Sequence, residues 1–305
     1  MASQSIGVFP KTRLQADLTL LLVAALWGSS FAAQRAAAMQ GGVHFYNGVR
    51  FLLGALLLMP GLFVQRKSLF INKERWAWLG GVFAGIALFA GTAFQQYGMQ
   101  FTSAANAGFI TGLYVIIVPF VLAIAYRKPP RWIIWLASIT AAAGMFLLST
   151  GGELALTKGD GWELAGAMMW AAHVLIIDSV TRKLNLFLLA VMQSTVCGFL
   201  SLGLGVWLEG AGLSSLTGIW WAVIWTAIAS IALGFTLQAV GQRAAPPTDA
   251  AIILSLESVF AAIFGWLILR ENLTGIQIMG CVLMFGGMIL AQLPVKYYPQ
   301  METSG

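Results

Sequence analysis

"WGSSFAAQR" fills Trp27–Arg35, and "WAAHVLIID" fills Trp170–Asp178, 143 positions further on. Each lies in an apolar run of roughly 20 residues, the length of helix that crosses about 30 Å of hydrocarbon. The same offset pairs Asp17 with Asp160, Trp78 with Trp221, Gly91 with Gly234 and Gln95 with Gln238. It also pairs Gly98 with Gly241, Ala107 with Ala250, Arg127 with Arg270, Gly144 with Gly287 and Leu147 with Leu290. One register held from Asp17 to Leu147 marks an internal repeat.

The solvent of this chain is lipid. Of its 305 residues 59% are hydrophobic and 9% charged, with a mean hydropathy of +0.83. A soluble domain carries about a quarter charged residues. Ten apolar segments follow one another: 17–39, 44–65, 76–98, 103–126, 132–149, 161–181, 186–208, 218–241, 247–269 and 274–293. They are continuous rather than alternating, so helices are expected, and helices satisfy their own backbone groups in lipid. Lys11 and Arg13 ahead of the first segment, with "AAA" at 36–38, imitate a cleaved leader. The segment is long for one and nine more follow, so no cleavage is expected. The predicted fold is an all-α integral membrane protein of ten transmembrane helices, five per half. An odd number per half inverts the second in the membrane. The predicted organisation is an N-terminal segment 1–16, repeats over 17–150 and 160–293, and a tail 294–305.

Basic residues orient the chain. Lys11 and Arg13 precede the first segment; Arg66, Lys67, Lys73 and Arg75 follow the second; Arg127, Lys128 and Arg131 follow the fourth. Arg182 and Lys183 follow the sixth, Arg243 the eighth and Lys296 the tenth, while the alternate connections hold only Lys158 and Arg270. Both termini are expected in the cytoplasm, in a bacterial-type inner (plasma) membrane. The net charge of +6 is accounted for by this placement, without a nucleic-acid partner.

Polar residues inside lipid-spanning segments are functional candidates, because a charge at that depth costs a few kcal/mol or more. Glu257 is central in the ninth segment and aligns with Tyr114 of the first half. It is a candidate for proton coupling, for holding a substrate ammonium, or for bracing helix nine. Arg35 and Arg50 lie in the outer parts of their segments, where they snorkel or form an outer gate. Trp27, Gln95, Tyr114, Trp170, His173 and Gln238 are expected to line a cavity between the halves. Amides meet carboxylate or amine, and indole faces stack rings or hold an ammonium. The competing reading is interhelical hydrogen bonding. "GVFAG" (81–85) and "GFITG" (108–112) set paired glycines for close helix approach, and Pro60 and Pro119 are candidate loosening points. Cys197 and Cys281 read as packing residues. With only two histidines and no Gly-rich phosphate loop, no metal, cofactor, enzyme chemistry or ATP-driven pumping is expected.

"LESVFAAIFGWLILRENLTGIQIMGCVLMFGGMIL" (256–290), "LWGSSFAAQR" near the start, "VRFLLGALLL" (49–58) and "NAGFITGLYVIIVP" (106–119) resemble the EamA-type proteins of the drug/metabolite transporter superfamily. The resemblance runs through both halves. It implies a five-plus-five inverted repeat around a central cavity and export of small metabolites. Within the superfamily it leans toward the YddG-like amino-acid exporters. The family pattern often reads Leu-Glu-Pro in the ninth helix, where this chain has Leu256-Glu257-Ser258, so a proline kink is not expected there. Secondary export of amino acids, aromatic ones included, by alternating access is the leading reading, and a monomer suffices for it. Transport of other small metabolites or drugs, or a non-transporting membrane scaffold, are the alternatives. The expected partners are the small-molecule substrate and the bilayer.

Overall fold

Ten helices of the computed structural model are long and apolar enough to cross a membrane. The structure describes residues 10–293 apart from 11, 41, 65–74, 103, 126, 128, 154–156, 265 and 268–272. Lys11, Arg66, Lys67, Lys73, Lys128, Arg270 and Lys296, part of the charge pattern above, lie outside the described residues. The spans are α1 (Arg13–Gln40), α2 (Val43–Val64), α3 (Arg75–Gly98), α4 in two pieces (Ala104–Gly112 and Tyr114–Ile124) and α5 (Trp132–Thr150). The second half holds α6 (Asp160–Val180), α7 (Leu186–Glu209), α8 (Trp220–Gln242), α9 in two pieces (Pro247–Leu254 and Glu257–Phe264) and α10 (Gly275–Gln292). No strand occurs among the described residues.

Local chemistry fixes the ends. Asn185 caps α7 by accepting from the N–H groups of Phe187 and Leu188, which relieves two of its orphan donors. Thr274 and Gln277 form a capping box on α10. Glu209, ending α7, accepts from the N–H groups of His44 and Phe45 at 2.9 and 3.1 Å and so caps α2 from the other half.

The inversion is visible in how equivalent helices meet. On α2 and α7, Gly48 meets Leu202, Leu52 meets Gly198 and Phe45 meets Gly205. Numbers rise on one helix as they fall on the other, so these repeat equivalents run antiparallel. α5 and α10 do the same. A Cβ on Gly144 would stand 2.6 Å from the Gly280 carbonyl oxygen, and one on Gly287 would stand 2.8 Å from that of Ala137. Gly144 and Gly287 are equivalents, as are Ala137 and Gly280, so this crossing maps onto itself under the repeat. With no hydrophobic drive between helices in lipid, such backbone contact supplies the packing. Gly81 and Gly85 likewise meet Met192 and Val196 of α7.

The interruptions fall elsewhere than the prolines suggest. Pro60 and Pro119 sit inside α2 and the second piece of α4 without breaking them. The breaks are at Leu113 and Leu256, which are repeat equivalents. At each the N–H bonds three residues back, to Ile110 and Ile253, both at 3.1 Å. α9 is therefore broken beside Ser258 without a proline. α8 carries a π-helical stretch, Ala227–Phe235, with no counterpart in α3.

Candidate functional site

Both breaks open on one cavity. α1 contributes Trp27, Phe31 and Gln34, α2 Arg50 and Phe51, α3 Thr92 and Gln95, and α4 Thr111 and Tyr114. The other half contributes Trp170 and Val174 from α6, Ser230, Phe235 and Gln238 from α8, and Leu254 and Glu257 from α9. The cavity between these side chains is small, about 40 Å³.

Its aromatic wall is built by the repeat. Trp27 packs on Gly234, and Trp170 packs on Gly91. Both the tryptophans and the glycines are equivalents, so a Cβ is missing in each half where an indole must lie. Phe235 joins the two rings, stacked on Trp170 at 6.3 Å and 9° and tilted on Trp27 at 5.1 Å. The halves then diverge. Trp27 donates to the Ser230 carbonyl in the π stretch of α8 at 3.1 Å, whereas the buried Trp170 Nε1 has no protein partner. π segments inside α-helices recur at functional sites.

The cavity also holds one basic and one acidic side chain. The Arg50 side chain is buried, 2% exposed. It donates to Asn47 Oδ1 at 3.0 Å and stands 5.0 Å from the Tyr46 ring centre. Among the described residues no carboxylate lies within 4.0 Å of it, the only such pairs being Arg13 with Asp17 and with Asp249. Glu257, 7% exposed, likewise has no ion-pair partner. Tyr114 Oη and both amide atoms of Gln238 are buried without a hydrogen-bond partner. Buried polar groups are ordinarily paired, so this lining is chemically unsatisfied by the protein itself.

Of the residues singled out from sequence, Trp27, Gln95, Tyr114, Trp170, Gln238 and Glu257 meet in this lining. His173 does not. It stands behind Trp170, with Nε2 2.8 Å from Gln193 Oε1 and its ring edge-on to Trp170 and Phe235. The arginines also differ from expectation. Arg50 does not snorkel; its guanidinium is buried against Asn47 and Tyr46. Arg35 turns to the segment that follows α3 and donates to the Met99 and Thr102 carbonyls. Glu163, on the first turn of α6, escaped the sequence reading. It is 0% exposed and accepts from Thr111 Oγ1 at 2.9 Å. Comparison across the repeat, where its equivalent is Leu20, is the signal that finds it.

The sequence matches the model of the EamA-like transporter family twice, over residues 14–150 and 157–293. It is 33% identical over 283 residues to an "Uncharacterized transporter" of Archaeoglobus fulgidus, covering 93% of this chain and 87% of that protein. It is 24% identical over 310 residues to the "Uncharacterized transporter YetK" of Bacillus subtilis, covering 97% and 93%. A solved structure titled "Crystal structure of protein" superposes with a TM-score of 0.77 at 17% identity, covering 92% of this chain and 97% of that one, a likeness of fold.

Proposed function

Since the chain belongs to the EamA-like transporter family and is a multi-pass membrane transporter, we propose that it exports amino acids, aromatic ones included, by alternating access. One observation carries the substrate class. Arg50 and Glu257, one basic and one acidic side chain, line the same cavity, and neither has an ion-pair partner among the described residues. A buried charge without a partner costs several kcal/mol. A zwitterion supplies both partners at once, its carboxylate to Arg50 and its ammonium to Glu257. The indoles of Trp27 and Trp170 then flank the side chain, and Gln238 and Tyr114 offer polar atoms to its backbone end. A phosphate ester calls for several cations, and Arg50 is the one that lines this cavity among the described residues. The inverted repeat supports alternating access, with the site between the halves. The basic residues support a plasma-membrane setting with both termini in the cytoplasm.

The test is counterflow of labelled amino acids in proteoliposomes. Phenylalanine and smaller zwitterions are expected to exchange, while phenethylamine and phenylpropionate, each lacking one charge, compete poorly. Glu257→Gln should cut flux at least about tenfold at normal abundance, because a charge-assisted contact is lost. Equal competition by the singly charged analogues, or undiminished flux in Glu257→Gln, would overturn the reading.

A further inference from the structure

The repeat gives each residue a control in the other half, and one position fails that comparison conspicuously. Gly98 and Gly241 are equivalents, and each seats a side chain from the first turns of the helix opposite. A Cβ on Gly241 would stand 2.7 Å from Leu20 Cγ, and one on Gly98 would stand 2.7 Å from Glu163 Oε1. Leu20 and Glu163 are themselves equivalents. The fold therefore fills this seat with a leucine in one half and a carboxylate in the other. Packing alone does not require the acid.

The difference extends to the cavity. Glu163 Oε2 accepts from Thr111 Oγ1 at 2.9 Å, and Thr111 accepts from Gln95 Nε2 at 3.2 Å. The equivalents of Glu163, Thr111 and Gln95 are Leu20, Leu254 and Gln238, and Gln238 has no partner at either amide atom. One half thus carries a polar chain from a buried carboxylate to the cavity wall where the other carries two leucines and an unpartnered amide. Glu163 Oε1 is buried with no hydrogen-bond partner. No cationic group lies within 4.0 Å of Glu163 among the described residues.

Building on the transport reading above, we propose that Glu163 is the proton-binding site of a proton-coupled exchange, linked to the substrate cavity through Thr111 and Gln95. The coupling lies in the direction of the hydrogen bonds. With Glu163 ionised, Thr111 must donate to it, so Thr111 accepts from the Gln95 amide N–H and Gln95 turns its carbonyl oxygen to the cavity. That oxygen is an acceptor for a substrate ammonium. With Glu163 protonated, its O–H donates to Thr111, whose hydrogen passes to the Gln95 oxygen, and the amide presents its NH₂ group to the cavity instead. An ammonium and that proton disfavour each other, so one proton is taken up at Glu163 as one substrate leaves.

The other ionisable groups around Glu163 are accounted for. Asp160, a turn earlier on α6, accepts from Thr102 and Thr157. On α3, Tyr97 turns away onto Phe101 and Trp162. Tyr114 of α4 and Glu257 of α9 lie in the cavity lining. His173, deeper on α6, is held by Gln193. Asp249 of α9 is paired with Arg13, and Arg35 of α1 is committed to the segment that follows α3.

The experiment uses the full chain in proteoliposomes with a trapped pH-sensitive dye. Wild type should change luminal pH when a substrate gradient is imposed, and a pH gradient should raise its flux several-fold. Glu163→Gln should keep counterflow at equal pH, lose the pH change and give a flat pH profile. Glu163→Leu, which installs the residue of the equivalent seat, should behave alike and provides a second variant if the first does not accumulate. Calorimetry of substrate binding to wild type, in two buffers of different ionisation heat, should report proton release without any variant. Counterflow with no proton movement, or proton movement unchanged in both variants, overturns this proposal and leaves the transport reading standing. Absence of amino-acid counterflow overturns both.

Discussion

At the scale of residues, the cavity depends on a few side chains whose neighbours are missing a methyl group. Trp170 stacks on Phe235, packs on bare Gly91 and lines the cavity. Trp170→Ala removes a surface of about 150–250 Å². Transport of aromatic amino acids should fall at least about tenfold relative to alanine or threonine, at about 25 cal/mol per Å² of lost contact. Competition assays across substrate sizes read this, and an equal fall for all substrates would make the ring plain core. Sequence was a partial guide at this scale. Pairing Trp27 with Trp170 and Gln95 with Gln238 leads to four lining residues, because residues that recur in register face the same pseudo-symmetric space. His173 misleads because histidine in an apolar run looks functional whatever it faces, and nothing in the neighbouring sequence reveals that it stands behind Trp170 with Nε2 against Gln193 Oε1. Arg50 misleads in the opposite sense. Its distance from the segment end suits snorkelling, and only the fold shows it buried against Asn47 and Tyr46.

At the scale of elements, the telling feature is where helices stop being helices. Leu113 and Leu256 interrupt α4 and α9 at equivalent points, while Pro60 and Pro119 interrupt nothing. Those prolines drew attention because proline forfeits a helical N–H. The real breaks have no local breaker in the second half, so they are imposed by packing and were illegible in single residues. They make a further expectation. The Ser258 N–H already makes only a 3.3 Å bond to the Ser255 carbonyl, and its buried hydroxyl has no partner. Ser258 is also in the first turn of the second piece of α9, where proline is tolerated. Ser258→Pro should therefore accumulate normally and melt within a few degrees of wild type. Ala171→Pro, inside unbroken α6, should cost about 3 kcal/mol or more. Thermal unfolding in detergent compares the two.

At the scale of the whole molecule, the architecture was the most legible part. Segment length, the constant offset and an odd helix count per half depend on pattern rather than on any one contact. The antiparallel meetings of α2 with α7 and α5 with α10 follow from them. Orientation in the membrane has its own test. With Cys197 and Cys281 replaced, single cysteines at Lys67 and Glu153 should react with impermeant reagents from opposite sides of the membrane, Lys67 from the cytoplasm. Reaction from one side would contradict the inverted arrangement. The paired seats at Gly98 and Gly241 carry a consequence for ancestry. Two identical half-length chains assembled head to tail would have to place the same residue in both seats, giving two acids or none. Joining the halves into one gene lifts that restriction. Once fused, one seat can change from leucine to glutamate while its twin stays as it was, and a symmetric assembly acquires a direction.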